Sequence, residues 1–230
     1  MGNYNEGKLV VYGATKNLYR DTIPSIRSCL KHGNADEIVL LTEGKYPYDL
    51  PIKTIDVSGQ TFFPKDGINA TKRWTWMCLM KCAVTELFPD RDRIVFLDCD
   101  TIVEHALDDL FEMPMDDYYA MVRQKGDGRE GRFTKGDYFN TGVMVCNLAW
   151  LRDGKEKELR KSLNTVNWQY PEQDCINKLC EGKIKILGGR WNVSQFTEED
   201  DYTFIRHYAA FPTWRTDTAY GMVYDDHSLR

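Results

Sequence analysis

Residues 93–102, Arg-Ile-Val-Phe-Leu-Asp-Cys-Asp-Thr-Ile, carry two carboxylates one residue apart, Asp98 and Asp100, at the end of an apolar run. Ile94, Val95, Phe96 and Leu97 form an unbroken apolar stretch, the pattern of a strand buried on both faces. Aspartates at the carboxyl end of such a strand stand where open α/β sheets bind their ligands. Two hard oxygen donors there suit Mg²⁺ or Mn²⁺, which in turn can hold phosphates. An Asp-x-Asp also arises by chance in turns, so the rest of the chain has to supply its partners.

A buried strand needs neighbours, and the chain offers strands and helices in alternation, which predicts an α/β layer architecture. Runs at 8–12, 37–42 and 52–57 read as strands, the last two expected to be buried. A Gly13 turn and a helix through Ile23, Ile26 and Leu30 follow the first of them. A second helix is predicted from Thr71, with Trp76, Met80, Ala83, Val84 and Leu87 at helical spacing and Pro89 as its stop. Strands are expected at 118–122 and 142–148, helices at 148–164 and 171–181, and short strands at 184–187 and 203–207. The glycine-rich, charged stretch 124–137 reads as a loop, either a mobile lid or a plain solvated surface. No internal repeat or linker divides the chain, so 1–230 is expected to be one domain.

Composition excludes several classes. The 230 residues are 42% hydrophobic, enough for a well-filled core. Net charge is −5, from 30 Lys+Arg and 35 Asp+Glu, and the basic residues form no block, which argues against a nucleic-acid binder. Seven cysteines without a Cys-x-x-Cys pair read as reduced thiols of a cytoplasmic protein. Cys78 and Cys82 lie one helical turn apart but lack further ligands nearby, so they are expected in the core. Glu6 stands where a myristoylation signal after Gly2 needs Ser or Thr, and no apolar leader or membrane span is legible.

Several further motifs fall into an order around the Asp98 strand. They are Phe139-Asn140-Thr141-Gly142-Val143, Glu172-Gln173-Asp174-Cys175-Ile176-Asn177, Trp191-Asn192, and His207-Tyr208-Ala209-Ala210 ahead of Pro212 and Trp214. This succession resembles glycosyltransferase family 8, the retaining glycogenin and bacterial galactosyltransferase group, from Val10 to Trp214. The resemblance implies a GT-A fold: a Rossmann-like α/β/α sandwich on a mixed, mostly parallel sheet. It also implies a UDP-sugar donor, with UDP-glucose or UDP-galactose foremost, a glycan or other hydroxyl acceptor, and Mn²⁺ on the Asp-x-Asp.

On this resemblance Asp98, Asp100 and His207 are metal ligands, and imidazole favours Mn²⁺ over Mg²⁺, the second choice. The segment Tyr12, Gly13, Ala14 and Thr15, with Tyr19 beyond it, matches the uridine-binding first loop. There Gly13 would admit a base and Tyr19 would stack on it. Arg73 and Lys81 are expected to offset the donor's charge, and Cys99 lies between the two ligands. Asn140, Thr141 and Gly142 would line the donor sugar. Glu172 would hold its hydroxyls, and Gln173 would support positive charge at the reactive carbon. Pro171 with acids behind it is equally the start of a helix, and both readings hold together. Trp74, Trp76 and Trp168 could be acceptor platforms, with Trp76 assigned rather to the core.

The chain departs from the family in two places. The lysine expected before the terminal Pro-Trp is missing, with Arg215 the nearest cation, and Arg123-Gln124 replace an aspartate that helps identify the sugar. Two competing readings are a haloacid-dehalogenase-type phosphohydrolase, which also opens on Asp-x-Asp, and an inactive nucleotide-sugar-binding module. The oligomeric state is not legible in the sequence.

Overall fold

A computed structural model describes residues 7–70, 75–125, 134, 136–197 and 200–209. Its strands are β1 (Leu9–Ala14), β2 (Glu37–Thr42), β3 (Lys53–Asp56), β4 (Arg93–Leu97), β5 (Thr101–Val103), β6 (Tyr119–Arg123), β7 (Phe139–Asn147), β8 (Ile184–Leu187) and β9 (Ile205–His207). The helices are α1 (Tyr19–His32), α2 (Val84–Leu87), α3 (Asp108–Glu112), α4 (Leu148–Trp150), α5 (Glu156–Thr165) and α6 (Pro171–Leu179). Seven strands form one sheet in the order β3-β2-β1-β4-β7-β6-β8, while β5 and β9 pair separately. Only β7 runs against its neighbours, antiparallel to β4 and β6. The α/β expectation, with a mixed and mostly parallel sheet, is met.

Side chains alternate across this sheet, and both faces are covered. Leu9 and Val11 join Phe96, Met144 and the 76–82 segment on one face. Val10 and Tyr12 join Val95, Val143 and the α1 residues Tyr19 and Ile26 on the other. That alternation, with no polar side to either strand, is why the central strands read as continuous apolar runs.

Strand β1 has β2 on one side and β4 on the other, both parallel to it, with Val11 opposite Phe96. The order reverses there, so a crevice opens beyond the carboxyl ends of β1 and β4. Gly13, which is a β1 residue rather than the expected turn, and Asp98 both lie at that crevice.

Four expected elements differ. The 52–57 strand is β3, an edge strand whose residues are largely exposed. The 71–87 helix is instead a 3₁₀ segment, Trp76–Cys82, that breaks at Ala83 before α2, with residues 71–74 outside the described set. Met77 and Leu79 to Thr85 are all buried, so no single apolar stripe exists there to dictate an α-helical period. The 148–164 helix is interrupted at Gly154, whose φ of 95° an L side chain adopts rarely. Strand β7 begins three residues earlier than expected, which makes Asn140 and Thr141 strand residues along with Gly142. Of the loop expected at 124–137, residues 126–133 and 135 lie outside the described ones.

One core residue yields a stability prediction. Tyr119 in β6 is fully buried, and its hydroxyl has no hydrogen-bond partner among the described residues. Burial, with Cys82, Cys180 and Cys146 around it, pushes the phenol well above its ordinary range. Losing an unpaired buried hydroxyl removes a desolvation penalty, so Tyr119→Phe should gain about 1 kcal/mol. The urea midpoint should rise at constant slope; a lower midpoint would reveal a hydrogen bond lost.

Candidate active site

Strand β4 ends at Leu97, and the chain turns at once. Asp98 N–H donates to the Gly142 carbonyl at 2.8 Å, and Thr101 N–H donates back to the Asp98 carbonyl at 3.2 Å. The turn feeds β5, which pairs antiparallel with β9 so that Thr101 stands opposite His207. A two-stranded ribbon of three residues each thus carries an imidazole from near the end of the chain to the Asp-x-Asp. Asp98, Asp100 and His207 offer one ligand atom apiece, all within 4.8 Å of one another. His207 Nε2 stands 3.3 Å from Asp100 Oδ1 and 3.9 Å from Asp98 Oδ2.

The site is open on one side. The aspartate side chains are 31% and 25% exposed, whereas His207 is 3% exposed. Burial pulls the His207 pKa down, but Asp100 and Asp98 outweigh it and leave the imidazole above its usual value. Burial likewise pushes the Asp100 carboxyl up, and His207 outweighs that to hold it below the normal range. Two carboxylates and an imidazole facing one gap make a mixed O/N donor set that fits Mn²⁺ well and Mg²⁺ less well. Gly142 gives the imidazole its room, because a Cβ there would lie 2.5 Å from Nδ1 and 2.7 Å from Nε2.

Lys81 supplies the balancing charge. It is 1% exposed, and its Nζ lies 2.7 Å from Asp98 Oδ1 and 3.6 Å from Glu172 Oε1 while donating to the Thr141 carbonyl at 2.9 Å. Burial opposes its charge, but Asp98 and Glu172 prevail, and its pKa stays above the normal lysine value. Behind it, α6 presents Glu172 and Gln173 from its first turn, started by Pro171. Gln173 Oε1 accepts from Thr141 N–H at 3.1 Å, and its Nε2 donates to Gln124 Oε1 at 3.2 Å and to the Tyr138 hydroxyl at 3.1 Å. The Tyr138 hydroxyl donates to Asp174 at 2.5 Å, and the other Asp174 oxygen accepts from Tyr170 N–H at 2.8 Å. Thr141 Oγ1 lies 3.3 Å from both Glu172 Oε1 and Gln173 Oε1.

The structure therefore brings together Asp98, Asp100, His207, Lys81, Glu172, Gln173, Asn140, Thr141 and Gly142. Gly13, Ala14 and Thr15 lie at the end of β1 beside them, and Cys99 is half-buried between the aspartates with its thiol pushed well up by burial. Two expected donor contacts need correction. Tyr12 is fully buried under α1, so its ring faces the core and only its backbone borders the crevice. Tyr19 is 4% exposed, packed edge-on against Tyr46 at 5.2 Å, so its ring is committed to the core instead of to a base. Arg73, Trp74, Pro212, Trp214 and Arg215 lie outside the described residues. Trp76 is half-buried, with its indole N–H donating to Glu43 at 3.3 Å, and Trp168 packs against the core.

Sequence reasoning assigned no role to Tyr138 or Asp174, and none to Asn192, although the Trp191-Asn192 motif was visible. Asn192 is fully buried against His207, and apart from the Trp191-Asn192 motif no local pattern marks it.

The fold is the GT-A fold of glycosyltransferases. The model of Glycosyl transferase family 8 matches residues 10–211, and the chain belongs to that family. A Haemophilus influenzae protein named as a glycosyltransferase is 28% identical over 134 residues, 51% of this chain and 38% of that protein. Lipopolysaccharide 1,2-glucosyltransferase of Escherichia coli is 26% identical over 188 residues, 74% of this chain and 55% of that protein. The chain thus spans from over a third to about half the length of these curated relatives. Among solved structures, galactosyltransferase LgtC in complex with donor and acceptor sugar analogues superposes with a TM-score of 0.72 at 17% identity, covering 94% of this chain and 95% of LgtC. No helix among the described residues is long and apolar enough to cross a membrane.

Proposed function

We propose that this glycosyltransferase moves a hexose from a UDP-sugar to an acceptor hydroxyl with retention at the anomeric carbon. Asp98, Asp100 and His207 would hold Mn²⁺, or Mg²⁺ in its place. The observation that carries the reading is their convergence from β4 and β9 on one gap at the sheet's switch point, with Glu172 and Gln173 behind Lys81. When bound, the ion neutralises a departing diphosphate.

The chain's own groups do the rest. The backbone of Gly13, Ala14 and Thr15 borders the place for the uridine, and Arg73 is proposed to add a cation near the diphosphate. Asn140, Thr141 and Glu172 orient sugar hydroxyls. The Gln173 carbonyl supports positive charge at the reactive carbon, its amide held in one orientation by Thr141 N–H. With a neutral amide there in place of a carboxylate nucleophile, the acceptor attacks from the face the diphosphate leaves, and the diphosphate takes the acceptor's proton. UDP-glucose and UDP-galactose are the first donors to test, given the relatives' names. All seven cysteines are free thiols, which supports a cytoplasmic protein. We also read residues 1–230 as a single domain.

The test is incubation with both donors, an acceptor panel and Mn²⁺, with the new linkage assigned by NMR. An inverted linkage would refute retention. UDP binding without transfer or donor hydrolysis would favour the inactive binding module, while the family assignment removes the phosphohydrolase. Asp100→Asn should lower turnover roughly 10²-fold or more, equivalent to about 2.7 kcal/mol of transition-state stabilisation. Full turnover in that variant would remove Asp100 from the site.

A further inference from the structure

The orientation of the buried amides around His207 follows from one backbone donor. Gly142 N–H can only donate, and at 2.9 Å it meets Asn140, so the Asn140 atom there is Oδ1. The same oxygen faces Asn192 at 2.9 Å, so Asn192 presents Nδ2 to it. Asn192 therefore turns Oδ1 to His207 Nδ1, 2.8 Å away. An amide oxygen cannot donate, so His207 Nδ1 carries a proton. Thr141 N–H fixes Gln173 in the same way, and the Asn140 Nδ2 left over donates to Gln124 Oε1 at 3.1 Å and Gln173 Oε1 at 3.3 Å. No member can flip without setting two donors or two acceptors face to face inside a buried network.

We propose that Asn192 is a positioning residue: by accepting Nδ1–H it aims His207 Nε2 at Asp98 and Asp100 and leaves Nε2 as the nitrogen that binds the ion. Asn192 meets the ring at Nδ1, whereas the two aspartates face Nε2. It stands on the 3₁₀ turn Gly189–Asn192, and the next residue ties that turn to β9, with Val193 N–H donating to the Ile205 carbonyl and His207 N–H to the Val193 carbonyl. Ring and acceptor are thus held by one piece of backbone. Outer hydrogen bonds of this kind typically contribute 10–100-fold to metal affinity. The proposal builds on the metal reading of the site, but its first half concerns the metal-free protein.

Two measurements test it. In metal-free protein with ¹⁵N-labelled histidine, His207 Nδ1 should show a protonated signal whose N–H exchanges slowly; an unprotonated Nδ1 overturns the assignment. Titration with Mn²⁺ alone should then give an affinity reduced 10–100-fold in Asn192→Leu, and in that variant the His207 Nδ1 proton should lose its slow exchange. Equal affinity in wild type and Asn192→Leu, or a His207 Nδ1 proton that still exchanges slowly in that variant, also overturns it. Absence of Mn²⁺ binding by wild type would sink the metal reading, and the Nδ1 signal would still decide the hydrogen bond.

Discussion

Gly142→Ala should abolish most of the metal-dependent activity while leaving the chain folded. The added methyl would overlap the His207 ring, with Nδ1 at 2.5 Å and Nε2 at 2.7 Å. Strand β7 is held at this point from the β4 side. Val143 pairs with Leu97 of β4, the Gly142 carbonyl accepts from Asp98 N–H at 2.8 Å, and on the other side Asn140 pairs with Val122 of β6 just before a register shift. The imidazole must therefore move, and it cannot do so without losing Asn192 at 2.8 Å. Mn²⁺ affinity should fall about 10–100-fold, and a displacement of this size should cost turnover roughly 10²-fold. Overpacking should lower stability by about 1–3 kcal/mol. Gly59→Ala is the control, because a Cβ there meets nothing within 4 Å. Calorimetric Mn²⁺ titration of both variants checks this, and unchanged affinity in Gly142→Ala would mean that the ring is not a ligand.

The same crowding explains what could be read from the sequence and what could not. Strand β4 was legible because Ile94 to Leu97 are buried on both faces and contain nothing polar. The start of β7 was not, because Asn140 and Thr141 look like loop residues until their amide, hydroxyl and backbone groups are seen satisfied by Gln124, Gln173 and Glu172. The place of His207 came from a motif, since the three-residue strand β9 has no pattern of its own and its partner β5 is equally short. Tyr19 illustrates a signal misapplied. An aromatic a few residues after Gly13 suggests a platform for a base, yet Tyr19 opens α1 and packs into the core with Val10, Tyr12 and Ile26, its ring edge-on to Tyr46. Lys81 is expected, on the family resemblance, to offset the donor's charge. Its burial depends on Asp98 and Glu172, which lie 17 and 91 residues on in the chain and which no local pattern links to it.

Lys81→Met should be the most destabilising polar substitution in the site. Methionine has a similar unbranched stem, so the packing around residues 77–85 is kept and the change falls mainly on charge. Asp98 and Glu172 would then face each other across the space the ammonium filled, and the Thr141 carbonyl would lose its donor at 2.9 Å. Removing one partner of a buried ion pair typically costs about 3–5 kcal/mol, and the lower end applies because Asp98 is 31% exposed and water can reach it. Glu172 is more enclosed, its side chain 11% exposed, so neutralising it should recover part of the loss. Lys81→Met with Glu172→Gln should therefore be more stable than Lys81→Met alone, with a coupling of roughly 0.5–3 kcal/mol between two residues in contact. Urea denaturation of the four members of this cycle supplies the measurement. If the two changes add without coupling, Lys81 owes its burial to packing and Asp98, and Glu172 is free to serve the sugar alone.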